Sequence, residues 1–188
     1  MLGHGYGLQR DGACMLSQYD CIKKQRNELP EHWKAKHRSA PAPESLFKVD
    51  ENSPRLGAKL AEEHHQAAAK ALWASQRPRP GTQLAAGFRC ARVKEPAEQG
   101  AAKLKQLLAH LWKARFLPLI IGIDENGDAL IFIGGAHAAR MGAKGHSGLL
   151  AALGRGAMAN VPKKLGASTA SSAEAEAAPA GEGLPKRA

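Results

Sequence analysis

The side chains that most clearly suggest a function are the lysines and arginines in the middle third of the chain. Residues 51–116 carry 12 basic and five acidic side chains, a net charge of +7, within a total of +10 for the 188 residues. Basic side chains clustered on helices neutralise the phosphates of a nucleic-acid backbone, and such contacts carry no base specificity. The alternative is a solvated basic surface that keeps the protein soluble. The candidate phosphate contacts are Lys70, Arg77, Arg79, Arg89, Arg92, Lys103, Lys105 and Lys113.

Other residue types that perform chemistry give no second site. The three glycines within residues 3–7 resemble a phosphate loop, but no strand precedes them and no helix follows. His64 and His65 are adjacent, so on a helix they point in different directions and cannot chelate one metal together. Asp124 and Asp128 are best explained as supports of a turn. Three widely spaced cysteines argue against a disulfide scaffold and against a zinc cluster.

The elements before the basic region are short. Asp11-Gly12 lies between two short runs and predicts a hairpin over residues 8–16. Ser17 is the predicted cap of a helix over residues 18–29, which Pro30 ends. Residues 37–57 contain prolines among polar residues and are predicted to be a linker.

Most of the candidate basic residues are predicted to lie on three helices, over residues 62–75, 82–92 and 97–113, while Arg77 and Arg79 lie in the proline-containing break between the first two. High alanine content favours the first helix. Apolar residues of the third helix recur at a spacing of three and four, which places them on one buried face. These residues are Leu104, Leu107, Leu108, Leu111 and Trp112.

The last third of the chain changes to a β pattern. Residues 117–123 and 129–133 are β-rich runs on either side of an Asn-Gly pair, which predicts a hairpin. Residues 147–153 and 156–161 are predicted to be two further strands. A helix is expected to begin at Ser171-Ser172, and the chain past Pro179 is expected to be disordered. Together these elements predict an α+β fold.

The sequence predicts neither a membrane span nor a secretion signal. No run of about 18 apolar residues occurs, so no membrane partner is expected. The N-terminus has neither a basic region nor an apolar stretch after it, which argues against secretion.

Several short sequence motifs that occur in a fixed order resemble those of a known family. The motifs are Leu2-Gly3, Arg10-Asp11-Gly12, Leu16-Ser17-Gln18, Ala71-Leu72-Trp73, Arg77-Pro78-Arg79-Pro80, Lys94-Glu95-Pro96, Leu104-Lys105-Gln106-Leu107-Leu108, Lys144-Gly145-His146-Ser147-Gly148 and Ser171-Ser172-Ala173-Glu174-Ala175-Glu176. In this order they resemble the pol polyprotein of copia-type retrotransposons, from the end of the reverse transcriptase into the RNase H domain. The resemblance covers residues 2–176, over nine-tenths of the chain.

The resemblance implies a division of the chain into five parts. These are a post-palm hairpin and helix at residues 1–36, a linker at 37–57, a helical thumb- and connection-like region at 58–116, a partial RNase H-like domain at 117–178 and a disordered tail at 179–188. The expected fold is therefore α+β, a helical thumb- and connection-like region followed by an incomplete RNase H-like mixed sheet. In the family the middle helices contact the template-primer, which adds to the case for the basic residues.

Departures from the family pattern imply that catalysis is lost. No Tyr-x-Asp-Asp word is present to supply the palm aspartates. The first RNase H aspartate falls on Gly134, and Glu174 is the one catalytic carboxylate that is matched. Two-metal hydrolysis needs several carboxylates around ions roughly 3.5–4 Å apart. We therefore expect this chain to bind no metal or other cofactor, although the resembled family uses Mg²⁺.

The resulting prediction is a polyprotein fragment without catalytic activity that retains weak, non-specific binding of an RNA or DNA backbone. Other parts of a retroelement polyprotein are further expected partners, and the resemblance implies the cytoplasm or the nucleus. Two alternatives stay open. One is a small basic nucleic-acid-binding protein recruited from such a fragment, and the other is a structural subunit whose lean core is completed by partners.

Overall fold

The computed structural model divides the chain into two units, an N-terminal unit that ends at Ile121 and a C-terminal unit that begins at Gly122. The structure describes residues 5–76, 78–122, 128–136, 145–164, 171–175 and 177. Each unit contains one three-stranded antiparallel sheet, and the N-terminal unit adds helices of eight to 18 residues. The α+β class predicted from the sequence is confirmed.

The elements follow the chain in a simple order. The N-terminal unit contains β1 (Gly5–Leu8), β2 (Cys14–Ser17), α1 (Tyr19–Glu28), α2 (Ala58–Ser75), α3 (Gln83–Cys90), α4 (Glu98–Lys113) and β3 (Leu119–Ile121). Short 3-10 turns occur at Glu31–Trp33 and Pro80–Thr82. The C-terminal unit contains β4 (Ala129–Ala136), β5 (His146–Leu153) and β6 (Gly156–Lys164).

The predicted N-terminal hairpin is confirmed. β1 pairs antiparallel with β2, and Leu8 lies opposite Cys14. At the turn Gly12 has a φ of 80°, a backbone conformation that favours glycine. The carboxylate of Asp11 accepts a hydrogen bond from the N–H of Ala13 at 3.1 Å, which is the support that Asp gives to tight turns.

Helix α1 starts at Tyr19, one position later than predicted. The hydroxyl of Ser17 accepts a hydrogen bond from the N–H of Tyr19 at 3.3 Å, but the residue at the cap position is Gln18. The helix ends as expected, because Leu29 precedes a proline and adopts an extended backbone with φ −74° and ψ 134°.

Helices α2, α3 and α4 pack around a core of leucine and alanine. The leucine face predicted for α4 is confirmed, whereas Trp112 is only half-buried and lies at the edge of this face. Small alanine side chains on α2 allow the helices to approach closely. The buried residues on the facing surfaces of α2 and α4 are Ala67, Ala68, Ala71, Leu104, Leu107, Leu108 and Leu111.

The proline-containing segment between α1 and α2 is more than a linker. Residues 37–57 form no helix or strand, as predicted. However, Leu46 is buried in the helical core, and the ring of Phe47 meets the ring of Phe88 edge-on at 5.1 Å. These two apolar residues explain why the segment packs against the helices as part of the N-terminal unit.

The hairpin predicted around Asn126-Gly127 is wrong. β3 pairs with β2, with Met15 opposite Ile120, and so extends the N-terminal sheet. β4 instead pairs with β5. The predicted turn itself lies outside the described residues. β2 pairs with β1 on one side and offers β3 an apolar partner on the other, and this long-range pairing replaces the local one.

The C-terminal unit is an antiparallel meander with strand order β4-β5-β6. The two strands predicted at residues 147–153 and 156–161 are confirmed as β5 and β6. A helical turn begins after Ser171, whose hydroxyl accepts a hydrogen bond from the N–H of Glu174 at 3.2 Å. Residues 178–188, which include the predicted disordered tail, lie outside the described residues.

His64 occupies an unusual place for a histidine in this core. It lies on α2 with 2% of its surface exposed, and its ring centroid is 6.0 Å from that of Trp33. Burial lowers the pKa of His64 from 6.5 to about 4, and the positive charge of Arg89 adds to the shift. The ring is therefore neutral in the folded protein at pH 7.

The free energy of unfolding is expected to fall as the pH falls from 6.5 to 4. In this range the unfolded chain protonates His64 whereas the folded chain does not, so protons favour unfolding. The shift corresponds to about 3 kcal/mol at most, and the loss levels off below pH 4. The measurement is urea unfolding across this pH range, followed by tryptophan fluorescence, which reports on the N-terminal unit because all three tryptophans lie there.

The matched pair of variants is His64→Gln and His65→Gln. The first should flatten the pH dependence of the unfolding free energy. The second should retain most of that dependence, because the charge of His65 is the smallest of the three causes that lower the pKa of His64. Equal dependence in both variants would show that His64 titrates alike in the folded and unfolded chains.

Candidate nucleic-acid interface

Three of the eight predicted phosphate contacts lie inside the N-terminal unit. Arg79, Arg89 and Lys103 are 8%, 4% and 7% exposed. Side chains buried to this extent present little of their charge to a nucleic-acid backbone at the surface, so these three contacts stay predictions that their burial disfavours. Backbone carbonyls accept hydrogen bonds from Arg79 and Lys103 in the interior, and the guanidinium of Arg89 lies beside the ring of Phe88.

Lys103 shows how such a cation is accommodated. Its ammonium donates to the carbonyls of Ser45 at 2.7 Å and Leu46 at 3.3 Å, and also to that of Lys48. Burial lowers the pKa of Lys103, and the positive charges of Arg89 and Arg92 add to this effect. Lys103 therefore fastens the segment of residues 37–57 to helix α4.

Arg79 has a comparable structural role at the other end of the same helix. Its Nη2 donates to the carbonyl of Ala114 at 2.6 Å, at the C-terminal cap of α4. A cation at this end satisfies a free carbonyl and opposes the negative end of the helix dipole. Burial lowers the pKa of the Arg79 guanidinium.

The remaining predicted contacts differ in whether their charged groups are free to meet a phosphate. Lys70 forms an ion pair with Glu28 at 2.6 Å, and the ammonium of Lys105 lies 5.5 Å from the ring centre of Trp33. Arg92 and Lys113 are exposed. Arg77 lies outside the described residues. The structure therefore does not gather the predicted residues into one binding surface.

A different set of residues forms a continuous surface where α1 meets the end of α4. The rings of Tyr19 and Phe116 are stacked, with centroids 5.0 Å apart and planes 17° apart. The guanidinium carbon of Arg115 is 4.2 Å from the ring centre of Phe116 and 4.1 Å from that of Trp112. We call the whole set the cation–aromatic cluster, and its members are Tyr19, Lys23, Arg26, Trp112, Arg115 and Phe116.

The other two cations of the cluster contact its outer rings. The guanidinium of Arg26 is 4.8 Å from the ring centre of Trp112, and the ammonium of Lys23 is 5.8 Å from that of Tyr19. Within the part of the chain that the structure describes, no carboxylate forms a salt bridge with Lys23, Arg26 or Arg115. The cluster is therefore a basic surface whose positive charges are held by rings instead of acids.

Sequence analysis missed this cluster because its residues come from both ends of the N-terminal unit. The spacing of Trp112 predicts a place on the buried face of α4, and the aromatic residues Tyr19 and Phe116 are 97 positions apart in the sequence. One local signal was present. Arg115 and Phe116 follow Trp112 by three and four positions, a spacing that brings side chains together at the end of a helix.

The two positions that the resemblance aligns with RNase H carboxylates, Gly134 and Glu174, lie in different elements. Gly134 lies in β4, opposite Gly148 of β5, and provides no ligand. Glu174 lies in the helical turn after Ser171. Among the described residues, no group of three or more histidine, cysteine or acidic side chains is placed to hold a metal ion.

Comparisons with known proteins leave the family open. No family model, curated protein or solved structure matches this chain. None of the helices that the structure describes is long and apolar enough to cross a membrane.

Replacing Lys103 by methionine is expected to lower the free energy of unfolding by about 1–3 kcal/mol, because buried carbonyls then lose their donor. The measurement is urea unfolding followed by tryptophan fluorescence. Lys113→Met is the control, since Lys113 is exposed on the same helix and its change should be close to neutral. Equal losses in the two variants would contradict the structural role of Lys103.

Proposed function

We propose that this chain is a catalytically inactive fragment of a copia-type retrotransposon polyprotein that retains weak, sequence-independent binding of RNA or DNA. The fragment assignment is supported by the order of the sequence motifs over residues 2–176. Binding is supported by one structural observation, the cation–aromatic cluster. This set takes the place of the eight residues first considered, three of which are buried.

The chemistry of the cluster suits a single strand. Exposed aromatic faces stack with unpaired bases of any sequence, and arginine contributes both stacking and a charge for phosphate. Phe116 is 64% exposed, and because Tyr19 and Arg115 both contact its ring, a base would meet the exposed edge of the ring or stack on the guanidinium of Arg115. The guanidinium groups of Arg26 and Arg115 then lie within reach of the backbone of the same strand.

The absence of catalysis follows from the residues that would hold the metal. The resembled family uses Mg²⁺, which a lone carboxylate binds poorly because the ion then keeps most of its waters. Gly134 has no side chain to offer, and among the described residues Glu174 belongs to no group of three or more histidine, cysteine or acidic side chains that could hold a metal. The chain therefore does not fit the metal.

A second candidate function is a small basic subunit recruited from such a fragment. The buried leucine and alanine core of α2, α3 and α4 favours it, because a segment that folds around its own core can persist as an independent protein. Both candidates use the same surface to bind nucleic acid, and they differ in whether the chain unfolds cooperatively.

Binding is expected to be weak and steeply dependent on salt. A fluorescence anisotropy titration with a labelled oligothymidylate should give Kd values on the order of 10⁻⁴–10⁻⁶ M near physiological salt. Changing Arg26 and Arg115 together to Gln should reduce the salt slope by about 0.7 for each lost phosphate contact on a single strand.

The control for this change is Lys36→Gln with Arg38→Gln, which removes the same charge from two exposed residues outside the cluster. A second matched pair tests stacking. Phe116→Ala should weaken binding about tenfold, whereas Leu117→Ala, at an exposed neighbour without a ring, should not. Equal effects of the cluster and control changes would show that the charge acts only as a diffuse surface.

The purified chain is expected not to cleave an RNA–DNA hybrid in the presence of Mg²⁺ or Mn²⁺, because the first RNase H aspartate is replaced by Gly134. A gel assay of hybrid cleavage makes the measurement, with Glu174→Gln as the background. Cleavage by the wild-type chain above that background would overturn the inactive assignment.

A further inference from the structure

A cleft of about 300 Å³ lies in the N-terminal unit, away from the residues of the cation–aromatic cluster. Its walls come from the end of the segment before α2, from α2 and α3, from the loop between α3 and α4, and from the first turn of α4. The residues that matter for its chemistry are Asp50, Arg55, His64, Arg89, Arg92 and Glu95. None of the proposed contacts to nucleic acid in the cluster uses this cleft.

Arg89 is the central group of the cleft. It is 4% exposed, and no described residue accepts a hydrogen bond from its Nε. Its guanidinium carbon lies 4.6 Å from the ring centre of Phe88. A Cβ on Gly100 would lie 3.1 Å from Nη1, so the absence of a side chain there lets the guanidinium rest against the first turn of α4.

His64 presents a second group without a partner. Both of its ring nitrogens are buried and form no hydrogen bond to any described residue. Burial lowers the pKa of His64 to about 4, so the ring is neutral at pH 7 and carries one N–H donor. A neutral ring beside Arg89 can donate to an anion without adding a charge.

The acids around the cleft are occupied elsewhere. Glu95 pairs with Arg55 at 3.0 Å, and a carboxylate oxygen of Asp50 accepts the N–H of Asn52 at 3.0 Å. Glu51 is exposed at the rim. Within the described residues, none of these carboxylates forms a salt bridge with Arg89 or Arg92.

An isolated buried cation is costly, so a counter-ion in the cleft would stabilise it. Burial lowers the pKa of Arg89 to about 10, and the charge of Arg92 adds to the shift. The first N–H groups of α4 do not supply the site, because the carbonyl of Pro54 and the hydroxyl of Ser53 already accept from Glu98 and Gln99. The attraction for an anion therefore comes from side chains.

We propose that this cleft binds the phosphate group of a small molecule, with Arg89 and Arg92 pairing with its oxygens and His64 donating to a third oxygen. A phosphate is favoured over a carboxylate because a dianion compensates two neighbouring guanidiniums, and arginine matches phosphate geometry. The volume of about 300 Å³ is at the lower end of small-molecule sites, which suits a phosphate with a small organic group.

The test is calorimetric titration of the full chain with inorganic phosphate, and with acetate at the same ionic strength. Phosphate should bind saturably and acetate should bind at least tenfold more weakly. Arg92→Gln, at an exposed residue that the fold does not need, should weaken phosphate binding about tenfold. Lys94→Gln, an exposed neighbour that does not line the cleft, should leave binding unchanged.

Arg89→Gln should abolish saturable binding, and its unfolding curve shows whether the variant remains folded. If it does not fold, Arg92→Gln and His64→Gln carry the test, and both should weaken binding. Any of three results would overturn the proposal. Arg92→Gln and Lys94→Gln could bind phosphate equally well, acetate could bind as tightly as phosphate, or phosphate binding could fail to saturate. The variant with Arg26 and Arg115 changed to Gln should keep wild-type phosphate binding, so this site can fail or succeed independently of nucleic-acid binding.

Discussion

The contact on which the N-terminal unit depends is the packing of α4 leucines against the alanine face of α2. Leu104 and Leu107 are fully buried there, and alanines on α2 leave room for them. This contact fixes the position of α4. The cleft lies at one end of this helix, and the cation–aromatic cluster lies at the other. Gly100 at the first turn makes room for Arg89 in the cleft, and Trp112 at the last turn belongs to the cation–aromatic cluster. At 1.5 Å per residue these two positions are about 18 Å apart, so their ligands do not compete for the same groups.

The features predicted correctly from the sequence are those with a local physical cause. Asp11-Gly12 specifies its own turn, because glycine permits the positive φ and the aspartate accepts a backbone N–H. The leucine spacing of α4 identifies its buried face, because four of the five apolar residues predicted there are within the core. Trp112 is the exception. A large ring at the last turn of a helix reaches past the core, and two arginines cover it instead.

The features that could not be predicted arise from contacts between distant parts of the chain. Asn126-Gly127 is a strong local signal for a hairpin, yet β3 joins β2, which is more than 100 positions earlier. A strand edge beside an apolar run competes with a nearby turn, and the turn sequence alone cannot decide the outcome. The cation–aromatic cluster is hidden for the same reason, because Tyr19 and Phe116 meet only after α1 has packed on α4.

The middle third of the chain shows why net charge overstates the size of a basic binding surface. Its net charge of +7 counts every lysine and arginine equally, but the structure uses them in different ways. Arg79 and Lys103 are buried against backbone carbonyls, where they neutralise no acid and offer no charge to a ligand outside. Both Arg79 and Arg89 have a buried Nε without an acceptor, but Arg79 donates to a backbone carbonyl through its Nη2, whereas Arg89 lines the cleft. Arg89 is therefore the cation that a small anion can stabilise. Binding at the surface therefore depends less on the number of charges than on which of them lie at the surface. Arg115 is held there by two rings and by the carbonyl of Trp112, which accepts from its Nη1 at 2.8 Å, and none of these partners carries a negative charge that would compensate the guanidinium.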